Sequence, residues 1–414
     1  MKSDLDALMQ ARQLEALVVA GPGRHNPAMH YLAGGAFFTD ALLIKKRGQA
    51  PLLFHRSMER GEAAKTGLQT RDLEEHPIEE LLARSGGDLL QAIVLRTRLI
   101  FEAAGVSEGR VALYGLLDAG QALAVFAGLQ KELPGLTLVG ELGDTLLLAA
   151  MQTKDLEEIE RIRRLGQVTT AVVAQTADFL TSHKVARRGQ EQVLVRPDGE
   201  PLTIGEVKRC INLWLAERGA DNPEDTIFSI GREAGVPHST GDPQDLLRLG
   251  QTIVFDIFPC EAGGGYFYDM TRTWCLGYAT DETLALYQDV RTVYEQLLGE
   301  LRLGAPCKHY QQRACELFQQ RGHATVQETP HTLQGYVHSL GHGVGLYLHE
   351  RPFFRLTSDE NERLDANVVV TVEPGLYYPE RGMGVRLEDT LWMRPDGRPE
   401  TLAPYPMDLV LPLK

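Results

Sequence analysis

Several large protein classes are excluded by what this chain lacks. Its five cysteines (Cys210, Cys260, Cys275, Cys307 and Cys315) are odd in number and have no paired spacing, so a reducing compartment fits better than a disulfide framework. No stretch approaches the roughly 18 uninterrupted apolar residues of a membrane-spanning helix. The opening MKSDLDALMQARQLEALVVAG reads as an amphipathic helix running into a strand, without the basic leader and cleavage site of a secretion signal. Basic charge is also scarce. Lys and Arg number 42 against 56 Asp and Glu, a net charge of −14, which argues against phosphate-backbone binding. The expectation is a cytoplasmic protein with neither nucleic-acid nor membrane partners. Several catalytic signatures are missing as well. There is no G-x-S-x-G elbow and no cysteine in a convincing Cys–His setting. The glycines Gly263–Gly265 lack the following lysine of a phosphate loop and the strand–helix context of a dinucleotide fold.

What is present is an ordinary globular composition, 43% hydrophobic and 24% charged, over 414 residues, enough for two or three domains. Residues 1–150 alternate strand patterns (LEALVVAG, DALLIKK, RVALYG) with helical ones (SMERGEAAKTG, AGQALAVFAGLQKEL), which predicts a compact α/β domain. The charge-dense TKDLEEIERIRRLGQVTTAVVAQTADFL then predicts a long helix, capped by Thr153 and carrying acids in its first turn. Residues 151–414 mix period-two strands with helices and read as a second domain, α+β overall. TIVFDIF and GYFYDMTRTWCLG predict a hairpin around a glycine-rich turn. NVVVTVEPGLYY and MGVRLEDTLWM read as further strands.

Five side chains suited to metal ligation lie in this second half: Asp256, Asp269, His342, Glu373 and Glu388. The carboxylates sit in apolar, aromatic or glycine-rich runs, where a charge is costly unless compensated. Neither TIVFDIF nor VVVTVEPGLY holds a Lys or Arg. Four carboxylates and an imidazole suffice to neutralise two divalent ions, as in two-metal hydrolytic sites. Strand alternation puts Asp256 opposite the Ile253, Phe255 and Ile257 face, Asp269 with Thr271 and Thr273, and Glu388 with Arg386 and Thr390 while Asp389 points away. The plain alternative makes each acid a satisfied polar residue at a strand end, with Arg386 neutralising Glu388. That serves any one of them and fails for all five together. His338 and His342 have helical zinc-pair spacing, but Gly341, Gly343 and Gly345 argue for a tight loop or strand. His238, His338 and His349 read singly as ordinary loop or core histidines, and beside the carboxylates as members of a site.

The runs FDIFPCEAGGGYFYDMTRT, HSLGHGVGLYLHE, VEPGLYY and GVRLEDT, in this order, resemble the metal-binding series of the pita-bread metallopeptidases. That family includes Xaa-Pro dipeptidase (prolidase), aminopeptidase P and methionine aminopeptidase. NPAMHYLAGGA and DALLIKK resemble the creatinase-like N-terminal domain of the proline-specific branch. The resemblance implies a C-terminal pita-bread domain behind a smaller α/β domain, two divalent ions per chain (Mn, Co or Zn), and a homodimer. It implies Asp256 as a two-oxygen ligand of one ion, Asp269 and Glu388 as bridging carboxylates, and His342 and Glu373 as ligands of the second. Glu373 would also shuttle a proton. His238, His338 and His349 would hold substrate and the tetrahedral intermediate, with Arg381, Arg386 and Tyr347 lining the substrate pocket. Two departures stand out: the Asp256–Asp269 spacing is longer than the family pattern, and Tyr347 stands where relatives often carry Asp. The implied reaction is hydrolysis of Xaa-Pro dipeptides. The alternatives are aminopeptidase P action on longer proline-containing peptides and, from another class, a metal-free binding protein or creatinase-like enzyme.

Overall fold

The computed structural model describes residues 4–413. The chain divides into two compact units, one running to Met151 with Gly263–Gly265, the other comprising Gln152–Ala262 and Tyr266 onward. The first unit is built on a six-stranded sheet of β1 (Ala16–Gly21), β2 (Ala41–Lys46), β3 (Leu52–His55), β4 (Gln69–Asp72), β5 (Gly109–Gly115) and β6 (Leu136–Val139), in the order β4-β3-β2-β1-β5-β6. β2 runs antiparallel to β1 and β3, while β5 and β6 are parallel to β1 and β4 is parallel to β3. β1 is buried along its whole length, which is why LEALVVAG shows an apolar run rather than alternation. Val18, Ile44, Phe54, Phe101, Val111 and Leu129 are among its core residues.

The second unit carries four long helices, Leu156–Thr181, Ile204–Glu217, Asp281–Glu300 and Cys307–Gln319. Its strands are β7 (Lys184–Arg188), β8 (Glu191–Val195), β9 (Ala220–Asp221), β10 (Thr226–Ile230), β11 (Thr252–Ile257), β12 (Cys260–Glu261), β13 (Met270–Leu276), β14 (Val369–Val372), β15 (Gly375–Tyr378), β16 (Met383–Arg386), β17 (Asp389–Met393), β18 (Pro399–Thr401) and β19 (Val410–Leu411). They form sheets β10-β11-β13-β19 and β14-β17-β18, with pairs β15-β16, β9-β12 and β7-β8. Three sequence expectations are corrected. Thr153 does not cap the long helix but bridges Val368; the cap is Asp155, whose carboxylate accepts from Glu158 N at 3.0 Å while Glu158 accepts from Asp155 N at 2.7 Å. This reciprocal box satisfies two helix-end donors at once. The β11–β13 hairpin does form, with Asp256 opposite Thr271, but its connection includes β12 pairing with β9 rather than a simple turn. NVVVTVEPGLYY and MGVRLEDTLWM each break into two strands, at Glu373–Pro374 and Leu387–Glu388, because each half pairs with a different partner.

The His338–Glu350 segment is irregular, as its glycines predict. A Cβ at Gly341 would lie 2.2 Å from Thr371 O, one at Gly343 2.0 Å from Arg351 O, and one at Gly345 2.3 Å from a Glu350 carboxylate oxygen. The loop is closed by Gly343 N donating to Glu350 O (2.9 Å) and Glu350 N to Gly343 O (2.7 Å). Beneath it the buried Lys154 ammonium meets Glu350 at 2.8 Å, their side chains 1% and 0% exposed. A Gly343→Ala substitution should therefore lower stability by about 1–3 kcal/mol through overpacking. Denaturant melts of the variant check this, and an unchanged midpoint would show that the backbone yields there.

Candidate metal centre

β11 and β13, the glycine-rich loop and the two strand breaks converge on one cavity of about 1110 Å³, open mouth included. Asp256, Asp269, His342, Glu373 and Glu388 all line it, with His238, His338, His349 and Arg386. Among the described residues, Asp269, His342 and Glu388 each offer a ligand atom within 4.8 Å of the others, and all three are buried. The His342 Nε2 stands 3.7 Å from Asp269 and 3.5 Å from Glu373. Its Nδ1 lies 3.0 Å from Gly343 O, so that nitrogen is the donor and Nε2 presents a lone pair to the carboxylates. Glu388 accepts from Thr271 Oγ1 at 2.6 Å, and its backbone pairs with Thr271 across a bridge.

Electrostatics define the site. Burial, reinforced by neighbouring carboxylates, pushes the Asp269 and Glu388 carboxyls well above their usual range and Glu373 up to about 8. Burial likewise holds His342 and His338 down at about 3, so both imidazoles are neutral. Asp256 Oδ1 and Asp269 Oδ1 are buried without any hydrogen-bond donor. Hard oxygen ligands, one imidazole lone pair and orphaned carboxylate oxygens form a donor set that fits divalent cations.

One cation is already there. Arg386, isolated from Asp256 in sequence, reaches its Oδ2 at 2.7 Å. The absence of Lys or Arg around Asp256 therefore holds only along the chain. The guanidinium also donates to Thr271 Oγ1 (3.1 Å), Pro237 O (3.2 Å) and Tyr377 OH (2.7 Å). Most of its donors are thus taken by the protein, and it bonds Asp256 rather than Glu388. His338 is held on both sides: its Nδ1 donates to Ser339 O (2.7 Å) and its Nε2 accepts from Tyr377 OH (2.8 Å). His349 packs on His342 with ring centroids 4.3 Å apart, and His238 is exposed in the cavity wall.

Arg381 and Tyr347 are not in the lining. Arg381 is on the surface, paired with Glu282, and Tyr347 is exposed. Arg355 lines the cavity instead, stacked at 4.1 Å on the Phe353 ring and, among the described residues, without an acidic partner. Sequence reading passed over it because HERPFFRL offers no periodicity that aims an arginine at a distant site. Behind the site, Arg272 uses all five donors: on Pro406, Thr271, Glu388 and Tyr405 carbonyls and on the Asp389 carboxylate (2.8 Å), which also accepts from Tyr294 OH (2.5 Å). Asp389 thus faces away from the cavity, as alternation predicts.

The family model for metallopeptidase family M24 matches residues 160–395, more than half of the chain. The chain belongs to this family. An M24 fold implies divalent metal ions, and the buried acid–imidazole cluster suits them. Over 193 residues the chain is 30% identical to an Xaa-Pro dipeptidase of Pyrococcus furiosus, covering 46% of this chain and 51% of that protein. It is 28% identical over 202 residues to an uncharacterised peptidase of Bacillus subtilis, covering 49% and 53%. The chain thus spans about half the length of the curated relatives it matches. A dipeptidase from Pyrococcus horikoshii aligns with a TM-score of 0.74 at 20% identity, over 98% of both chains. An X-Pro aminopeptidase from Thermotoga maritima aligns with a TM-score of 0.73 at 22% identity, over 96% and 97%. The M24 fold, pita-bread unit plus smaller α/β unit, therefore extends over nearly the whole chain. Among the described residues no helix is long and apolar enough to cross a membrane.

In chelator-treated protein the buried acids are a stability cost. Since Glu373 is raised from its ordinary 4.5 to about 8, the folded state binds its proton more tightly than the unfolded chain, and stability should fall as pH rises across that window. Glu388→Gln, which removes charge and keeps shape, should then stabilise the chelated protein by about 1–3 kcal/mol. It should also weaken the rise in Tm expected when Mn²⁺ is added to wild type. Thermal melts with and without metal decide this; a chelated variant that melts below wild type contradicts it.

Proposed function

We propose that this protein hydrolyses Xaa-Pro dipeptides, with Asp256, Asp269, His342, Glu373 and Glu388 holding two divalent ions, Mn, Co or Zn. The observation that carries the reading is the convergence of these five groups in one buried cavity beside free imidazoles and an unpaired arginine. When bound, such ions activate water and polarise the scissile carbonyl. The chain's own residues do the rest. Glu373, at the cavity wall, takes the proton of the attacking water and delivers it to the proline nitrogen. That delivery is essential, because the amine leaves the tetrahedral intermediate only once its nitrogen is protonated. His349 and His238 supply donors to the carbonyl oxygen as charge develops. Arg386, fixed on Asp256 and Tyr377, holds the first carboxylate in place.

Arg355 supports a dipeptidase over an aminopeptidase P. A guanidinium without an acidic partner at the cavity matches the terminal carboxylate that a dipeptide presents directly after proline. Cytoplasmic location and a homodimer belong to the same reading. The test compares an Xaa-Pro dipeptide with an Xaa-Pro-Xaa tripeptide in the presence of Mn²⁺. The dipeptide should be cleaved and the tripeptide left nearly intact. Arg355→Ala should raise the dipeptide KM by about tenfold, with a smaller change in kcat. Efficient tripeptide cleavage would assign aminopeptidase P instead, and an unchanged KM would remove Arg355 from the binding site.

A further inference from the structure

We propose that the N-terminal unit carries a second ligand site, for a free α-amino acid with an apolar side chain. The site is a crevice at one end of the six-stranded sheet, with an empty volume of about 680 Å³ including its mouth. Its position has a topological reason. Ala20 ends β1, Leu73 follows β4, Leu117 follows β5, and Asp40–Leu42 open the antiparallel β2. All lie at the end where the parallel strands finish, the place where open α/β sheets bind ligands.

The lining explains the ligand class. Leu42, Ile93, Ile100, Val125 and Phe126 supply apolar walls from β2 and the helices Leu89–Ala103 and Ala119–Glu132. Two charged residues of opposite sign share this cavity, Arg96 and Asp40. Neither has a hydrogen-bond or ion-pair partner among the described residues, and they do not pair with each other. The contrast with Arg98 two positions on is direct, since that guanidinium bonds Glu102 at 3.3 Å and approaches Glu132 at 3.9 Å. A guanidinium matches a carboxylate in bidentate geometry, and a carboxylate matches an ammonium. An apolar amino acid brings both charges on one carbon with a greasy side chain. A fatty acid would leave Asp40 unmatched, and an amine would leave Arg96 unmatched. The site uses residues of the N-terminal unit alone and does not depend on the peptidase reading.

Isothermal titration of the full chain in chelator, with L-leucine and L-phenylalanine as probes, tests this. One saturable site per chain is expected, with Kd of about 1 mM or tighter. Arg96→Gln should weaken leucine by about tenfold or more, and wild type should bind leucine amide about as poorly. Asp40→Asn should weaken leucine similarly, as should N-acetylation of the ligand. Ala122→Phe, which fills the crevice, should abolish binding, with circular dichroism showing each variant folded. Arg355→Ala, in the other cavity, should leave it unchanged. No saturable heat with either amino acid overturns the proposal. So does binding that survives both Arg96→Gln and Ala122→Phe, or binding lost in Arg355→Ala.

Discussion

Four carboxylates, Asp256, Asp269, Glu373 and Glu388, are brought into one cavity with a single buried guanidinium, Arg386, among them. Like charges this close, out of water, repel strongly unless positive charge is supplied. The raised carboxyls of Asp269, Glu373 and Glu388 and the donor-less oxygens of Asp256 and Asp269 are two expressions of that one deficit. Divalent cations resolve it, and the rest of the second unit makes sense as the frame that keeps the acids together in spite of themselves.

That frame is over-determined. Glu373 and Glu388 each sit where a strand changes partners, so their backbones are fixed from two sheets at once. Arg272, every donor occupied, ties the carbonyls of Thr271 and Glu388 to Asp389 and Tyr294. The loop bearing His342 and His349 is pressed against Thr371, Arg351 and Glu350 at points where only glycine fits, and the Lys154–Glu350 pair lies beneath it. Tyr377 links His338 to Arg386. A buried pair such as Lys154–Glu350 is weak evidence of net stability, because desolvation offsets its attraction. Its position under the histidine loop gives it a geometric purpose instead.

Much of this was legible in the chain. Acids inside apolar strands announce a compensated site, and period-two alternation separates Glu388 from Asp389 correctly. Three glycines in SLGHGVG rule out the helix that His338 and His342 would otherwise suggest. What was not legible depends on contacts distant in sequence. Arg386 bonds Asp256 across 130 positions, so no local window could assign it. Arg355 reaches the cavity from an irregular segment, whereas Arg381, in a motif-like context, is held at the surface by Glu282. The strand breaks at Glu373 and Leu387–Glu388 were missed because hydrophobic alternation continues across them while the hydrogen-bonding partner changes. The cap at Asp155 was missed because Thr153 is an equally good capping residue until its pairing with Val368 is seen.

The central claim is that bound cations balance the buried acids. Its most direct measurement is metal content per chain, by elemental analysis of protein equilibrated with Mn²⁺ and freed of excess, in wild type and in Asp269→Asn. The account predicts close to two ions per wild-type chain and a marked loss when Asp269, one of the proposed ligands, is neutralised. Wild-type protein that retains no stoichiometric metal, or an Asp269→Asn variant that holds as much as wild type, would contradict it.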